Sequence, residues 1–160
     1  MTSVARPAPR RLDSFAVPSE PGNERLALAR VAESVASAGL SPSRLDRLKT
    51  AVAEATMNAI EHGNGNRRDV PVEIEVIQHG DEIIIAITDQ GAEPHAGPGS
   101  PEEPDLAKKL TGGQSPRGWG LFLIRNMVDA MEVTTHGHRH TIRLTMRTDP
   151  SEGAGHDEQV

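Results

Sequence analysis

AVAEATMNAIEHGN, residues 51–64, is the second half of an amphipathic segment that opens at Ser41-Pro42. Serine before proline is a strong helix-start signal: the hydroxyl caps a free backbone N–H, and proline is tolerated at the first helical position. Leu45, Leu48, Val52, Ala55 and Ala59 follow at spacings of three and four, predicting a helix to about Glu61. His62-Gly63-Asn64-Gly65-Asn66 then ends it. Glu54, Asn58 and His62 stand at i, i+4 and i+8, which puts them on one stripe. An aligned carboxylate and carboxamide suit a magnesium–phosphate site: Asn offers a neutral oxygen to a hard cation, and Glu one turn earlier can take a proton from an attacking hydroxyl. On its own the stripe is equally an ordinary solvated helix face.

Working outward, an earlier helix is expected from about Glu24 to Ala38, with Leu26, Ala29, Leu40 and Val31 or Val35 turned inward and Gly39 as its stop. Downstream, VPVEIEVIQ (70–78) alternates apolar and charged residues as a half-buried strand does. His79-Gly80-Asp81 is a tight turn, and EIIIAIT (82–88) is a more central strand, so the pair reads as a hairpin. Residues 89–117 are rich in Gly and Pro, with a short helical candidate at Asp105 to Leu110; so long a connection suggests a functional loop or lid. A third helix is expected over Gly118 to Ala130, then strands at Glu132 to Thr135 and Thr141 to Arg147 around Gly137. The order α, α, β, β, lid, α, β, β predicts an α+β two-layer sandwich, a mixed, mostly antiparallel sheet covered on one face by three helices.

A chain of 160 residues fits one domain, here residues 13–148. Residues 1–12 are basic and proline-rich and read as a flexible lead-in, and DPSEGAGHDEQV (149–160) as a disordered acidic tail. Hydrophobic residues at 36% can build a core, but Phe15, Trp119 and Phe122 are the only aromatics, so that core must be aliphatic. Three rings are too few for a single-strand nucleic-acid platform, and a net charge of -6 repels phosphodiester polymers and anionic lipid. No direct nucleic-acid or membrane binding is expected. With no cysteine there is no disulfide or thiolate chemistry. No apolar run resembles a signal peptide or a membrane span, the longest being Ile83 to Ile87, so a cytoplasmic protein is expected.

Two further clusters carry chemistry. Asp89-Gln90-Gly91 follows the central strand: an Asp there can accept from an exocyclic amine such as adenine's, and Gly91 allows a ring to approach the backbone. A plain turn explains the same residues. Arg117-Gly118-Trp119-Gly120-Leu121 leads into the third helix, where exposed N–H groups and the helix dipole favour phosphate and Arg117 adds a charge-assisted contact. A structural helix start explains that stretch too. Gly113 and Gly118 have the spacing of a Walker loop, but Trp119-Gly120 stand where Lys-Ser/Thr is required, so that reading fails. HGHRH (136–140) offers three alternating histidines to a metal, but Gly137 places them around a hairpin, where exposed turn residues are expected.

In combination these parts are far more specific than singly. E-x3-N-x3-H-G on a helix, D-x-G after a strand, a Gly/Pro-rich lid and G-x-G opening a helix resemble the N, G1 and G2 boxes of the histidine-kinase-like ATPase superfamily with its Bergerat fold. Within it, AVAEATMNAIEHGN, ITDQGAEP and RGWGLFLIRNMVDAMEV are similar to the anti-sigma regulatory factors, serine-protein kinases of bacterial partner switching, over about Phe15 to Met146. The resemblance implies ATP and Mg2+ as cofactors, Glu54 as general base and Asn58 as magnesium ligand. It implies that Asp89 accepts from the adenine amine, that Gly91 lines the purine, and that Gly118 and Gly120 admit the phosphates. His62 completes the N box, Arg117 and Leu121 flank the second glycine box, and Thr141 assists adenine recognition. Its implied partners are a sigma factor and a small anti-anti-sigma (STAS-type) protein phosphorylated on serine; relatives form dimers, so a homodimer is also admitted. Two departures stand out. Ala92-Glu93-Pro94 replace a second glycine after the first G box, and Leu28 holds the place, one turn after the partner-contacting acid Glu24, where relatives carry a basic residue. A non-catalytic ATP-binding regulatory module is the alternative function, and a detached histidine-kinase domain a third, disfavoured because no dimerisation helix pair with a phospho-acceptor histidine is recognisable.

Overall fold

The computed structural model describes residues 8–91 and 116–148, with side chains in the second stretch from Gly120 onward. The elements are β1 (Arg10–Val17), α1 (Glu24–Ser34), α2 (Pro42–Asn58), a π-helical turn (Ala59–Gly63), β2 (Val72–His79), β3 (Glu82–Gln90), α3 (Pro116–Met127), β4 (Ala130–His136) and β5 (Arg139–Arg147). The strands form one sheet in the order β1-β2-β3-β5-β4. The α+β architecture is as expected, but every pairing among the described strands is antiparallel, not mixed.

β3 is central because it can be: residues 83–89 are all buried, so it is apolar toward both faces. Ile83, Ile85 and Ile87 meet Leu48, Val52 and Ile60 from the helix layer in an aliphatic core completed by Ile74, Ile124, Leu144 and Met146. Ala51 and Ala55 are fully buried on α2 and keep side-chain bulk small where that helix lies in the core. Ser41 caps α2 as expected, its hydroxyl accepting from Arg44 N–H at 3.2 Å with Pro42 following.

Three expectations need correction. β1 was not expected, and Arg10, Arg11 and Leu12, assigned to the lead-in, begin it. Its pairing with β2 shifts register between Arg11 and Asp13, and this bulge breaks the period-two pattern by which a strand is recognised. Being an edge strand it also carries charges: Asp13 accepts from Arg30 of α1 at 2.9 Å, and the same arginine lies 4.6 Å from the Phe15 ring centroid. That bond holds the Asp13 carboxyl below its ordinary pKa.

Second, α1 ends at Ser34 rather than Ala38 and buries Ala27 and Val31, with Val35 just beyond, instead of Leu26 and Ala29. Leu26 is 59% exposed. ERLALARVA is apolar nearly all round, so periodicity leaves the buried face open and packing selects it. Third, α2 gives way after Asn58 to the π turn, closed by Asn64 N–H to Ala59 C=O at 2.8 Å. The lid, its candidate helix at 105–110, the residues after Gly91 and the acidic tail lie outside the described residues. Among the described residues no helix is long and apolar enough to cross a membrane.

Candidate functional site

The functional side chains gather where the end of α2, the ends of β3 and β5, and the first turns of α3 converge. Strand parity delivers Asp89. Its alternate neighbours Ile83, Ile85 and Ile87 face the helices, so Asp89 does too, at 5% exposure. Directly opposite, β5 places His140, which is 3% exposed and has Nδ1 at 2.8 Å from Asp89 Oδ1. Gly91 N–H donates to the same oxygen at 3.0 Å.

Glycines set the spacing. A Cβ at Gly63, at the end of the π turn, would collide with the Asp89 carboxyl. At Gly91 it would meet His140 Cε1 at 2.5 Å, so the open side of this glycine is filled by an imidazole and not left vacant for a ring. At Gly120 it would lie 2.6 Å from Glu54 Oε2 and 3.1 Å from Asn58 Nδ2. Glu54, Asn58 and Gly120 therefore form one cluster and Asp89, Gly91, Gly63 and His140 another, joined by the π turn Ala59–Gly63 that follows Asn58.

The first cluster is electrostatically unsettled. Burial raises the Glu54 pKa, repulsion from Glu61 raises it further, and His62 opposes both. Asn58 is 4% exposed, and its Nδ2 has no hydrogen-bond partner among the described residues. A buried amide in that condition is uncommon outside sites that bind something. A hard carboxamide oxygen beside a carboxylate suits Mg2+, which takes one or two protein ligands together with substrate phosphates.

Other expected site residues sit elsewhere. His62 is exposed on the π turn, off the buried stripe of Asn58, though close enough to act on Glu54. Helix α3 starts at Pro116, so Gly118 lies in its first turn and Gly120 deeper, where its role is close packing on α2. Leu121 is half-buried against the core. The Arg117 side chain lies outside the described residues. Thr141 is corrected: it pairs with Thr88, hydroxyl to hydroxyl at 2.8 Å, on the sheet face opposite Asp89. The β5 residue paired with Asp89 is His140, and the expectation that it is an exposed turn residue fails with it, although His136 and His138 are exposed. Among the described residues no cluster of acidic residues and histidines could hold a metal unaided.

Asn64, read only as part of a helix stop, anchors the loop beneath Asp89. Fully buried, it donates to Ser19 Oγ at 2.9 Å and to Val70 C=O at 3.0 Å, and its oxygen accepts from Gln90 N–H at 2.7 Å. The one sequence signal was an Asn inside HGNGN, where Gly65 and Asn66 adopt positive φ. On the other side of Glu54 a groove of about 480 Å³ runs between α1 and α2, lined in part by Glu24, Leu28, Lys49 and Met57.

Residues 17–146 match the histidine kinase-like ATPase domain family. An anti-sigma F factor of Clostridium beijerinckii is 36% identical over 69% of this chain and 77% of its own length. The serine-protein kinase RsbW of Oceanobacillus iheyensis is 34% identical over 73% of this chain and 75% of its own. Among solved structures, the RsbU and RsbW domains of a Mycobacterium tuberculosis protein superpose with a TM-score of 0.60 at 19% identity, over 88% of this chain and 32% of that one. The histidine kinase domain of a blue-light activated kinase from Erythrobacter litoralis superposes at 0.52 and 15% identity, over 82% of this chain and 61% of that one; both share the fold. The chain thus belongs to the histidine kinase-like ATPase domain family, with anti-sigma F factors and RsbW serine-protein kinases as its relatives.

Proposed function

We propose that the protein is an ATP-dependent serine-protein kinase that phosphorylates a small anti-anti-sigma protein and, when free to do so, binds a sigma factor in the cytoplasm and keeps it from RNA polymerase. The observation that carries this reading is the close packing of Gly120 on both Glu54 and Asn58, which sets a carboxylate of raised pKa beside a buried carboxamide whose nitrogen has no hydrogen-bond partner among the described residues. Bound ATP with Mg2+ would supply the phosphoryl group for transfer. Asn58 is the residue to hold the metal, Asp89 to accept from the purine amine, and the first turn of α3, with Gly118, to face phosphate with its N–H groups. Glu54 takes the proton of the acceptor hydroxyl, and its raised pKa brings it nearer neutrality, where a general base works best. The groove between α1 and α2 supports a protein acceptor: it opens onto Glu54 and carries Glu24 and Leu28 on its other wall.

Incubation with labelled ATP, Mg2+ and candidate anti-anti-sigma proteins tests this. Transfer to serine is expected to fall by roughly 100- to 10,000-fold in Glu54→Gln while ATP binding persists. ATP binding with no transfer to any candidate would favour a regulatory module that uses nucleotide only to set its shape. An acid-labile product would point to histidine phosphorylation.

A further inference from the structure

We infer that His140 is a positioning residue that makes the site select an exocyclic amine at the purine 6-position. The inference rests on the nucleotide-binding reading above and adds a residue which neither the motifs nor that reading requires. Asp89 is buried, and a buried carboxylate must be compensated by donors. Both of its donors, His140 Nδ1 at 2.8 Å and Gly91 N–H at 3.0 Å, fall on Oδ1. No donor reaches Oδ2 among the described residues. Two bonds on one oxygen stop the carboxylate from turning about its own axis, and the imidazole is itself held, facing Asp89 across the β3–β5 pairing and pressed on Gly91. Oδ2 is thereby presented in a fixed direction as an acceptor only. An N–H of an amine satisfies it, whereas a keto oxygen would set two acceptors against each other. Without His140 the carboxylate can rotate, and discrimination relaxes even where affinity survives.

ATP and ITP are the probes: they differ in the 6-substituent, amine against keto, and with it in N1, an acceptor in ATP and an N–H in ITP. Binding of each to the wild-type chain, His140→Leu and His140→Asn is measured by calorimetry, with thermal melts as the folding control. The wild type is expected to prefer ATP. Leu, of similar bulk and without a donor, should weaken ATP roughly 10-fold or more and ITP far less, so the ratio collapses. Asn, whose amide can replace the Nδ1 donor, should restore much of the ratio. An unchanged ratio in His140→Leu, whether affinity holds or both nucleotides weaken together, overturns the inference and leaves the nucleotide site intact. Tighter ATP binding by that variant also overturns it, since His140 would then be an obstacle. A wild-type chain that binds neither nucleotide defeats the underlying reading instead. Should His140→Leu not fold, ring-15N histidine spectra of the wild type decide: ATP must shift the His140 nitrogens more than ITP does, and equal shifts refute the role.

Discussion

Asp89 and Asn58 are both buried and both polar, and the π turn that follows Asn58 ends at Gly63 against Asp89. Asp89 has one oxygen saturated by His140 and Gly91, while Asn64 pins the backbone of the next residue, Gln90. Asn58 has no partner for its amide nitrogen among the described residues, and its neighbour Glu54 carries a carboxyl that burial pushes toward the neutral form. The Asp89 end of the crevice, to which the proposed function assigns the purine, is therefore wired in advance, which would lower the ordering cost of binding. At the Asn58 end, to which the proposed function assigns the phosphates, the amide nitrogen has no protein partner among the described residues. Recognition tolerates rigidity there better than chemistry does, since a general base must exchange its proton.

The comparison breaks first at Gly63. Gly63→Ala drives a Cβ into the bonded Asp89 carboxyl, which has no room to yield; we expect a loss of about 1–3 kcal/mol in chemical denaturation and ATP binding weakened by more than roughly 100-fold. If affinity survives, the purine end is not rigid. Gly120→Ala is the counterpart. Its Cβ meets the end of a flexible glutamate, which can swing aside, so melting should change little while the transfer rate falls about 10- to 100-fold with ATP affinity nearly kept.

A smaller effect is the pH profile of transfer. As the proposed general base Glu54 must be ionised, and its pKa is raised, so activity should fall as pH drops through a midpoint above that of an ordinary glutamate. The same shift has the opposite sign for stability: the raised pKa contributes stability below the unfolded value, which is lost as pH rises through the folded one. Glu54→Gln should accordingly gain stability over wild type as pH rises through that range; melts that run parallel at all pH would contradict the shift. Smallest is Thr141→Val. It removes the bond to Thr88 at a cost of about 1 kcal/mol, with ATP affinity within about twofold of wild type because the hydroxyl faces away from Asp89. A larger loss of affinity would restore Thr141 to the site.

Much of this was legible from residue order. Ser41-Pro42 marks the start of α2, the alternation of VPVEIEVIQ marks β2, and the three boxes point to a nucleotide crevice. The failures share one cause. β1 hides behind a bulge, α1 offers apolar residues to every side, and His140 and Thr141 are adjacent residues whose assignment to opposite faces depends on pairing with β3. A shift of one residue exchanges such neighbours, and histidine in HGHRH carries no local mark of burial.

Local chemistry by itself determined the helix start, the hairpin turns at Gly80 and Gly137, the aliphatic character of the core and the candidate acids and amides, because capping, periodicity and side-chain type act over a few residues. Only tertiary structure decided which face of α1 is buried, that Asn64 braces β3, and that His140 rather than Thr141 meets Asp89. Those outcomes depend on strands and helices distant in sequence, and the sheet register that joins them is a property of the whole fold.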